Sequence, residues 1–159
     1  MSKTIIVAVD ETQLEDFQSV VDSLDSNLCM IKIGSVSFNA LGHQVISYAS
    51  SKGFKIFLDL KLHDIPNTVK ESIEGLVSLP IDMMTIHTSG GLEMMKAAKK
   101  AQSETNKKLK ILAVTILTSL TNKDLKQMGS NSSVNLKYKN LHKLQNLQKF
   151  MESFVQLMK

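Results

Sequence analysis

A chain of 159 residues is long enough for one ordinary domain, and its 43% hydrophobic and 21% charged residues are typical of globular rather than disordered proteins. The net charge of +4 does not indicate nucleic-acid binding, because all 19 basic residues are lysines and arginine, the side chain best suited to phosphate and base recognition, is absent. Cys29 is the only cysteine, which excludes an internal disulfide and a cysteine zinc site.

Short β-branched runs alternate along the chain with longer segments in which apolar residues recur at helical spacing. The runs predict strands at 4–9, 29–33, 55–60, 83–88 and 110–117. The longer segments predict helices at 14–24, 36–51, 67–79 and 92–103. Because parallel neighbours need a long connection, this alternation predicts a parallel sheet with crossover helices.

A doubly wound sheet and a (β/α) barrel both have such an alternation. The first predicted strand is not followed by a glycine-rich dinucleotide-binding loop, and the sequence has no Walker-type loop. Polar residues instead follow several strands, for example Asp10, Lys32 and Thr118. Active sites of barrels lie at that rim, so we predict an α/β fold of the TIM-barrel type, incomplete, with about five of the eight β-α units.

The composition changes near residue 130, since all seven glycines and both prolines precede it. We therefore divide the chain into the N-terminal part of a barrel, residues 1–130, and an atypical helical tail, residues 131–159. An apolar stripe at helical spacing supports the tail helix, and its members are Leu141, Leu144, Leu147, Met151, Phe154 and Met158.

Secretion and membrane insertion are not indicated by the sequence. The N-terminal apolar run is too short for a signal peptide, and no window approaches the roughly 18 apolar residues of a membrane span. We expect a cytoplasmic protein that binds neither membranes nor nucleic acid.

The third predicted strand carries two charges on one face. Side chains alternate along a strand, so Asp59 and Lys61 share the face opposite Leu58 and Leu60. If the leucines face the helices, both charges point into the barrel, where they are costly unless paired. An interior ion pair that only joins strands is one interpretation. A functional site is the favoured one, because paired charges of this kind cluster at such sites.

Residues 59–68, Asp-Leu-Lys-Leu-His-Asp-Ile-Pro-Asn-Thr, closely resemble the signature of orotidine 5′-phosphate decarboxylases of the bacterial type. Further blocks match that family in the same order, and they are Val-Ala-Val-Asp10, Lys32-Ile-Gly34, His87-Thr-Ser-Gly-Gly and Leu117-Thr-Ser-Leu-Thr. The resemblance runs from about residue 4 to residue 133.

The resemblance implies that Lys61 donates a proton to the pyrimidine carbon that loses carbon dioxide. It places Asp59 beside the substrate carboxylate, and Lys32 in the charge network and against the ribose. These residue types suit the reaction, because an ammonium held against the ring carbon stabilises the developing carbanion and then protonates it.

The resemblance also implies a homodimer in which Asp64 and Ile65 reach into the partner's site. Asp10 would bind the ribosyl part of the nucleotide. The remaining substrate-binding residues that it implies are Asn67, Thr68 and Thr118. It implies no metal and no organic cofactor. His63, although inside the signature, is better interpreted as a loop residue, and His87 as support for the rim.

In this family, late loops containing a Gly-Arg pair hold the substrate phosphate, and this sequence has no arginine. We therefore expect a C-terminally truncated or frameshifted member, whose activity is open. One alternative is a related magnesium-dependent sugar-phosphate lyase, which shares Asp-x-Lys-x-x-Asp but not the Ile-Pro-Asn-Thr continuation. The other is a non-catalytic remnant or dimerising fragment of the family.

Overall fold

Five strands alternate with helices in the structure, a computed structural model that describes residues 5–106 and 108–146, the side chains of 144–146 excepted. The strands are β1 (Ile5–Val9), β2 (Cys29–Gly34), β3 (Ile56–Leu62), β4 (Met83–His87) and β5 (Lys110–Val114). The helices are α1 (Leu14–Asp22), α2 (Ser35–Leu41), α3 (Gln44–Ser51), α4 (Pro66–Gly75), α5 (Gly91–Thr105), α6 (Asn122–Gln127) and α7 (Val134–Asn146), and a 3-10 turn covers Thr88–Gly90.

The strands form one parallel sheet in the order β1-β2-β3-β4-β5. Strands that follow one another in sequence are neighbours in space, as in a barrel, and the order does not reverse as it does in a doubly wound sheet. The carboxyl ends of all five strands therefore meet at one rim. The predicted incomplete (β/α) barrel is confirmed.

Helices cover one face of the sheet and bury the main core. That core includes Ile31, Ile56 and Leu58 from the strands and Phe17 and Ile73 from the helices. The other face is the inner face of the barrel, where Met30, Phe57 and Leu112 form a smaller buried cluster. Most of the apolar burial that drives folding thus lies between sheet and helices.

The predicted helix at 36–51 is wrong in one respect, because it is two helices. Gly42 separates α2 from α3 with φ 65° and ψ −149°, a backbone conformation open essentially to glycine alone. Its amide still donates to the carbonyl of Phe38, which ends α2. Several other predictions ran too long, since α1 ends at Asp22, α4 at Gly75 and β5 at Val114.

A short helix that the periodicity did not predict, α6, begins with a capping box. The Thr121 hydroxyl accepts from the amide of Asp124, and the Asp124 carboxylate accepts from the amide of Thr121. The helical tail is described only as far as Asn146. The rest of the predicted stripe lies outside the described residues. None of the helices in the described part of the chain is long and apolar enough to cross a membrane.

Strand β3 is irregular where it approaches the rim. Its pairing with β4 shifts register between Leu58 and Leu62. Within that interval Lys61 has φ 52°, the left-handed region that residues with a side chain rarely adopt. The simple alternation of faces predicted for β3 therefore ends at this bulge.

Candidate active site

The centre of the site is the carboxylate of Asp59, near the carboxyl end of β3. Lys61 Nζ donates to Asp59 Oδ2 at 2.8 Å, and Lys32 Nζ lies 3.5 Å from the same oxygen. Strands β2 and β3 are neighbours, which brings Lys32 beside the pair. The interior ion pair predicted from sequence is present, and Lys32 also contacts its carboxylate.

Thr85 of β4 completes the contacts of this carboxylate, and sequence reasoning missed it. Its hydroxyl donates to Asp59 Oδ1 at 2.8 Å and accepts from the backbone amide of Lys61 at 2.8 Å. The available signal was a polar residue in the middle of the apolar run Met-Met-Thr-Ile, two positions from His87 on the same strand face.

Asp59 is ionised in this environment although only 8% of its surface is exposed. Burial alone would raise the pKa of its carboxyl, but hydrogen bonds from Lys61 and Thr85, together with the charges of Lys61 and Lys32, outweigh burial and lower the pKa. The formal charge of one carboxylate with two ammonium groups is +1. The site can therefore stabilise an additional negative charge next to Lys61.

A cavity of about 280 Å³ opens beside this cluster on the inner face of the sheet. Its polar wall consists of Asp59, Lys61, Lys32 and Thr85, and its apolar wall of Ile6, Phe57 and Val114. An apolar wall lowers the local dielectric and strengthens the charge interactions inside. Cavities of this size that combine apolar surface with a few converging polar groups are typical of small-molecule sites.

Two histidine rings lie next to the cluster, with centroids 5.4 Å apart: His63 in the loop after β3 and His87 at the end of β4. Burial is the main reason that the pKa of His87 is lowered, and the charges of His63 and Lys61 lower it further. The buried Nδ1 of His87 has no hydrogen-bond partner within the described part of the chain. His87 thus favours the neutral form and can support the rim without adding charge.

Asp10 follows β1 at the same rim, as predicted. A methyl group added at Gly34, at the end of β2, would come within 2.8 Å of Asp10 Oδ1. The absence of a side chain at position 34 therefore allows the Asp10 carboxylate to lie against the end of β2. Asp10 is exposed.

The other predicted site residues lie in loops and at a helix start, away from the Asp59 contacts. Asp64 accepts a hydrogen bond from the amide of Ile65, whose side chain is 66% exposed. Asn67 donates to Glu71 within α4. Thr68, in the first turn of α4, and Thr118, beyond β5, are exposed. The structure does not bring these residues into contact with Asp59, Lys61 or Lys32 in the described part of the chain.

A model of the orotidine 5′-phosphate decarboxylase / HUMPS family matches residues 3–156. The chain belongs to this family. The match extends further than the motifs did, since the resemblance read from them ended near residue 133. It crosses the domain boundary predicted at residue 130, which stays a prediction.

Curated relatives carry the name orotidine 5′-phosphate decarboxylase. The protein of Mannheimia succiniciproducens is 44% identical over 135 residues, which are 84% of this chain and 57% of the relative. The Pasteurella multocida protein is 41% identical over 134 residues, 84% of this chain and 58% of the relative. The chain thus spans somewhat more than half the length of these relatives.

Solved structures agree on the fold. The orotidine 5′-phosphate decarboxylase of Lactobacillus acidophilus has a TM-score of 0.82 and 33% identity, with 89% of this chain and 66% of that chain covered. An uncharacterized conserved protein from Geobacillus kaustophilus also has a TM-score of 0.82, with 27% identity, and the match covers 94% of this chain and 72% of that one.

Within the described residues, no group of three His, Cys, Asp or Glu side chains is arranged to hold a metal ion. The site residues brought together are Lys32, Asp59 and Lys61, with Thr85 added by the structure.

Proposed function

We propose that this site decarboxylates orotidine 5′-phosphate to uridine 5′-phosphate, a step of pyrimidine biosynthesis, in the cytoplasm. The observation that carries the proposal is the sharing of Asp59 Oδ2 by the ammonium groups of Lys61 and Lys32 beside an open cavity. Membership of the family and the names of its curated relatives support the same reaction.

The roles follow from the charges of the cluster. Loss of carbon dioxide leaves an electron pair on the ring carbon, and the Lys61 ammonium stabilises that charge and then transfers a proton to the carbon. Asp59 keeps Lys61 oriented and, when the substrate carboxylate is close, raises the free energy of the ground state by like-charge repulsion. Lys32 offsets the charge of Asp59 and can reach a ribose hydroxyl.

The remaining substrate contacts are proposals from the family motif. Asp10 binds the ribosyl hydroxyls, and Asn67, Thr68 and Thr118 contact the nucleotide. Their exposure at or near the rim leaves them accessible to a ligand. We further propose a homodimer in which Asp64 and Ile65 complete the partner's site, an arrangement that would cover the exposed Ile65 side chain.

A non-catalytic role is the second candidate for a polypeptide limited to these 159 residues, because they contain no arginine that could bind the substrate phosphate. Charge-assisted hydrogen bonds to such a group contribute about 1.5–3 kcal/mol each. Binding energy from a remote phosphate also contributes to rate at the reacting carbon. In the non-catalytic role the chain would keep the fold and the dimer surface but would not turn over substrate.

The proposal is tested by measuring release of carbon dioxide from orotidine 5′-phosphate. Lys61→Ala should lower kcat by at least about 100-fold, because general acid catalysis contributes about that much or more. Lys70→Ala is the matched control, since Lys70 also forms an ion pair, with Glu74 on the outer helix α4. An inactive wild-type chain that folds would favour the non-catalytic role. Turnover of a ketose phosphate only with magnesium would favour the lyase alternative.

Shared sites are tested by mixing two inactive variants. Chains with Lys61→Ala and chains with Asp64→Ala should regain activity when subunits exchange, because a mixed dimer contains one intact site. Each variant mixed with itself is the control. Mixed dimers detected by mass but without recovered activity would contradict shared sites.

A further inference from the structure

Thr85 occupies a position between the two reacting groups of the site, although it lies on a different strand. It is 1% exposed, in the middle of β4. Its Oγ1 lies 2.8 Å from Asp59 Oδ1 and 2.8 Å from the backbone nitrogen of Lys61. The same hydroxyl thus contacts the side chain of one site residue and the main chain of the other.

We propose that Thr85 is a positioning residue for the reaction, whose hydroxyl holds the Asp59 carboxylate and the Lys61 backbone in one fixed geometry. The proposal deepens the function above, because it assumes that Asp59 and Lys61 form the reacting pair. Thr85 lines the cavity beside the carboxylate and acts through its two neighbours.

The chemistry of a hydroxyl fixes the direction of both bonds. It has one hydrogen and two lone pairs. An amide can only donate, so Thr85 accepts from Lys61 and gives its own hydrogen to the ionised Asp59. A valine has the same shape and can do neither, whereas a serine keeps both functions.

The hydrogen bond from the Lys61 amide to Thr85 matters because the Lys61 backbone has an unusual conformation. Lys61 has φ 52° and lies within the register shift between β3 and β4, where the regular ladder is interrupted. The Thr85 hydroxyl replaces the missing ladder acceptor for the Lys61 amide. It therefore supports a conformation that a residue with a side chain adopts at a cost in free energy.

The bond to Asp59 orients the other oxygen. With Oδ1 held by Thr85, Oδ2 points to Lys61 and Lys32. Without the hydroxyl the carboxylate can rotate, and Lys61 Nζ loses its fixed partner. Displacements of this kind at a reacting atom cost rate more than they cost binding.

The test compares Thr85→Val with Thr85→Ser and with Thr88→Val. Thr88 is also a buried threonine, directly after β4, and its hydroxyl donates to the carbonyl of Val114. Thr88→Val therefore removes a similar hydroxyl that bonds elsewhere. The measurement is carbon-detected NMR titration of aspartate carboxyl groups, with Asp59→Asn used to assign the Asp59 signal.

Thr85→Val should raise the pKa of Asp59, while Thr85→Ser and Thr88→Val should keep the wild-type value. The other charged groups that act on Asp59, Lys32 and Lys61, are unchanged in all variants. A Thr85→Val protein with the wild-type titration would overturn the proposal, as would a Thr85→Ser protein that titrates like Thr85→Val. If Thr85→Val does not fold, the rate of hydrogen exchange at the Lys61 backbone amide of the wild-type protein tests the proposal instead. An amide that is not protected from exchange contradicts the proposal.

Titration and amide exchange need no turnover, so their outcome is separate from that of the proposed reaction. In an active protein, Thr85→Val should lower kcat by about 100-fold with little change in KM, since misplacement of a reacting group by 1 Å has about that effect. Thr85→Ser should recover most of the rate. A wild-type kcat in the Thr85→Val protein would overturn the proposal.

Discussion

Burial and neighbouring charges together determine which residues of the rim are ionised. Asp59 is buried and ionised because three groups, Lys61, Thr85 and Lys32, act on its two oxygens. Burial lowers the pKa of His87, two residues beyond Thr85, so that its ring favours the neutral form. Its neutral ring adds no further positive charge beside Lys61 and Lys32, whose ammonium groups already exceed the single carboxylate.

The lowered pKa of His87 predicts a dependence of stability on pH. The unfolded chain, with a pKa near 6.5, takes up the proton before the folded protein does. As pH falls below about 6.5, the free energy of unfolding should therefore decrease, and the decrease should end once pH is below the folded pKa. Glutamine cannot titrate, so His87→Gln should reduce this decrease.

Urea unfolding at neutral and at mildly acidic pH measures the effect. His43→Gln is the control, because His43 is an exposed histidine between α2 and α3. It should keep the wild-type dependence on pH. An equal dependence in wild type and His87→Gln would contradict the role given to burial at this position.

At the scale of strands and helices, sequence patterns predicted the order of elements and the contact between Asp59 and Lys61. Alternation along β3 predicted that Asp59 and Lys61 meet, and they do, although Lys61 lies in the bulge where the regular alternation ends. The bulge at Lys61 and the contact with Thr85 could not be predicted this way. Both depend on the register between β3 and β4, which arises from packing over 24 residues of chain rather than from local periodicity.

The break between α2 and α3 has a similar origin, since the helical period continues across Gly42 and only its backbone conformation ends the helix. Gly42→Ala should lower the free energy of unfolding by about 1–3 kcal/mol, because φ 65° with ψ −149° is strained for any residue with a side chain. Space is no obstacle, as no atom lies within 4 Å of an added methyl group.

Gly75→Ala at the end of α4 is the matched control, because an added methyl group there also meets no atom within 4 Å. Its backbone is helical, so alanine should stabilise the protein by about 0.5–1 kcal/mol. Chemical denaturation of both variants measures the difference. Equal free energies of unfolding for Gly42→Ala and Gly75→Ala would show that the backbone conformation at position 42 does not strain an alanine.

At the scale of the molecule, the sheet of the described residues has two edge strands. Within the described residues, β1 and β5 each pair with one strand only. On the inner face between them Met30, Phe57 and Leu112 are buried, while Ile6 on β1 is 39% exposed. Unpaired strand edges next to apolar surface are a recognised route to association.

We therefore expect an isolated polypeptide of these 159 residues to form species larger than a dimer as its concentration rises, and to be only marginally stable. Ile6→Lys should reduce that association, because a charge on the inner face of β1 opposes pairing at this edge. Leu28→Lys is the control, since Leu28 is 64% exposed before β2 and lies off the β1 and β5 edges. Sedimentation velocity over a range of concentrations distinguishes dimers from larger species.

A wild-type chain that remains a dimer and unfolds cooperatively at all concentrations would contradict this expectation. Equal effects of Ile6→Lys and Leu28→Lys would show that the β1 edge is not the surface responsible.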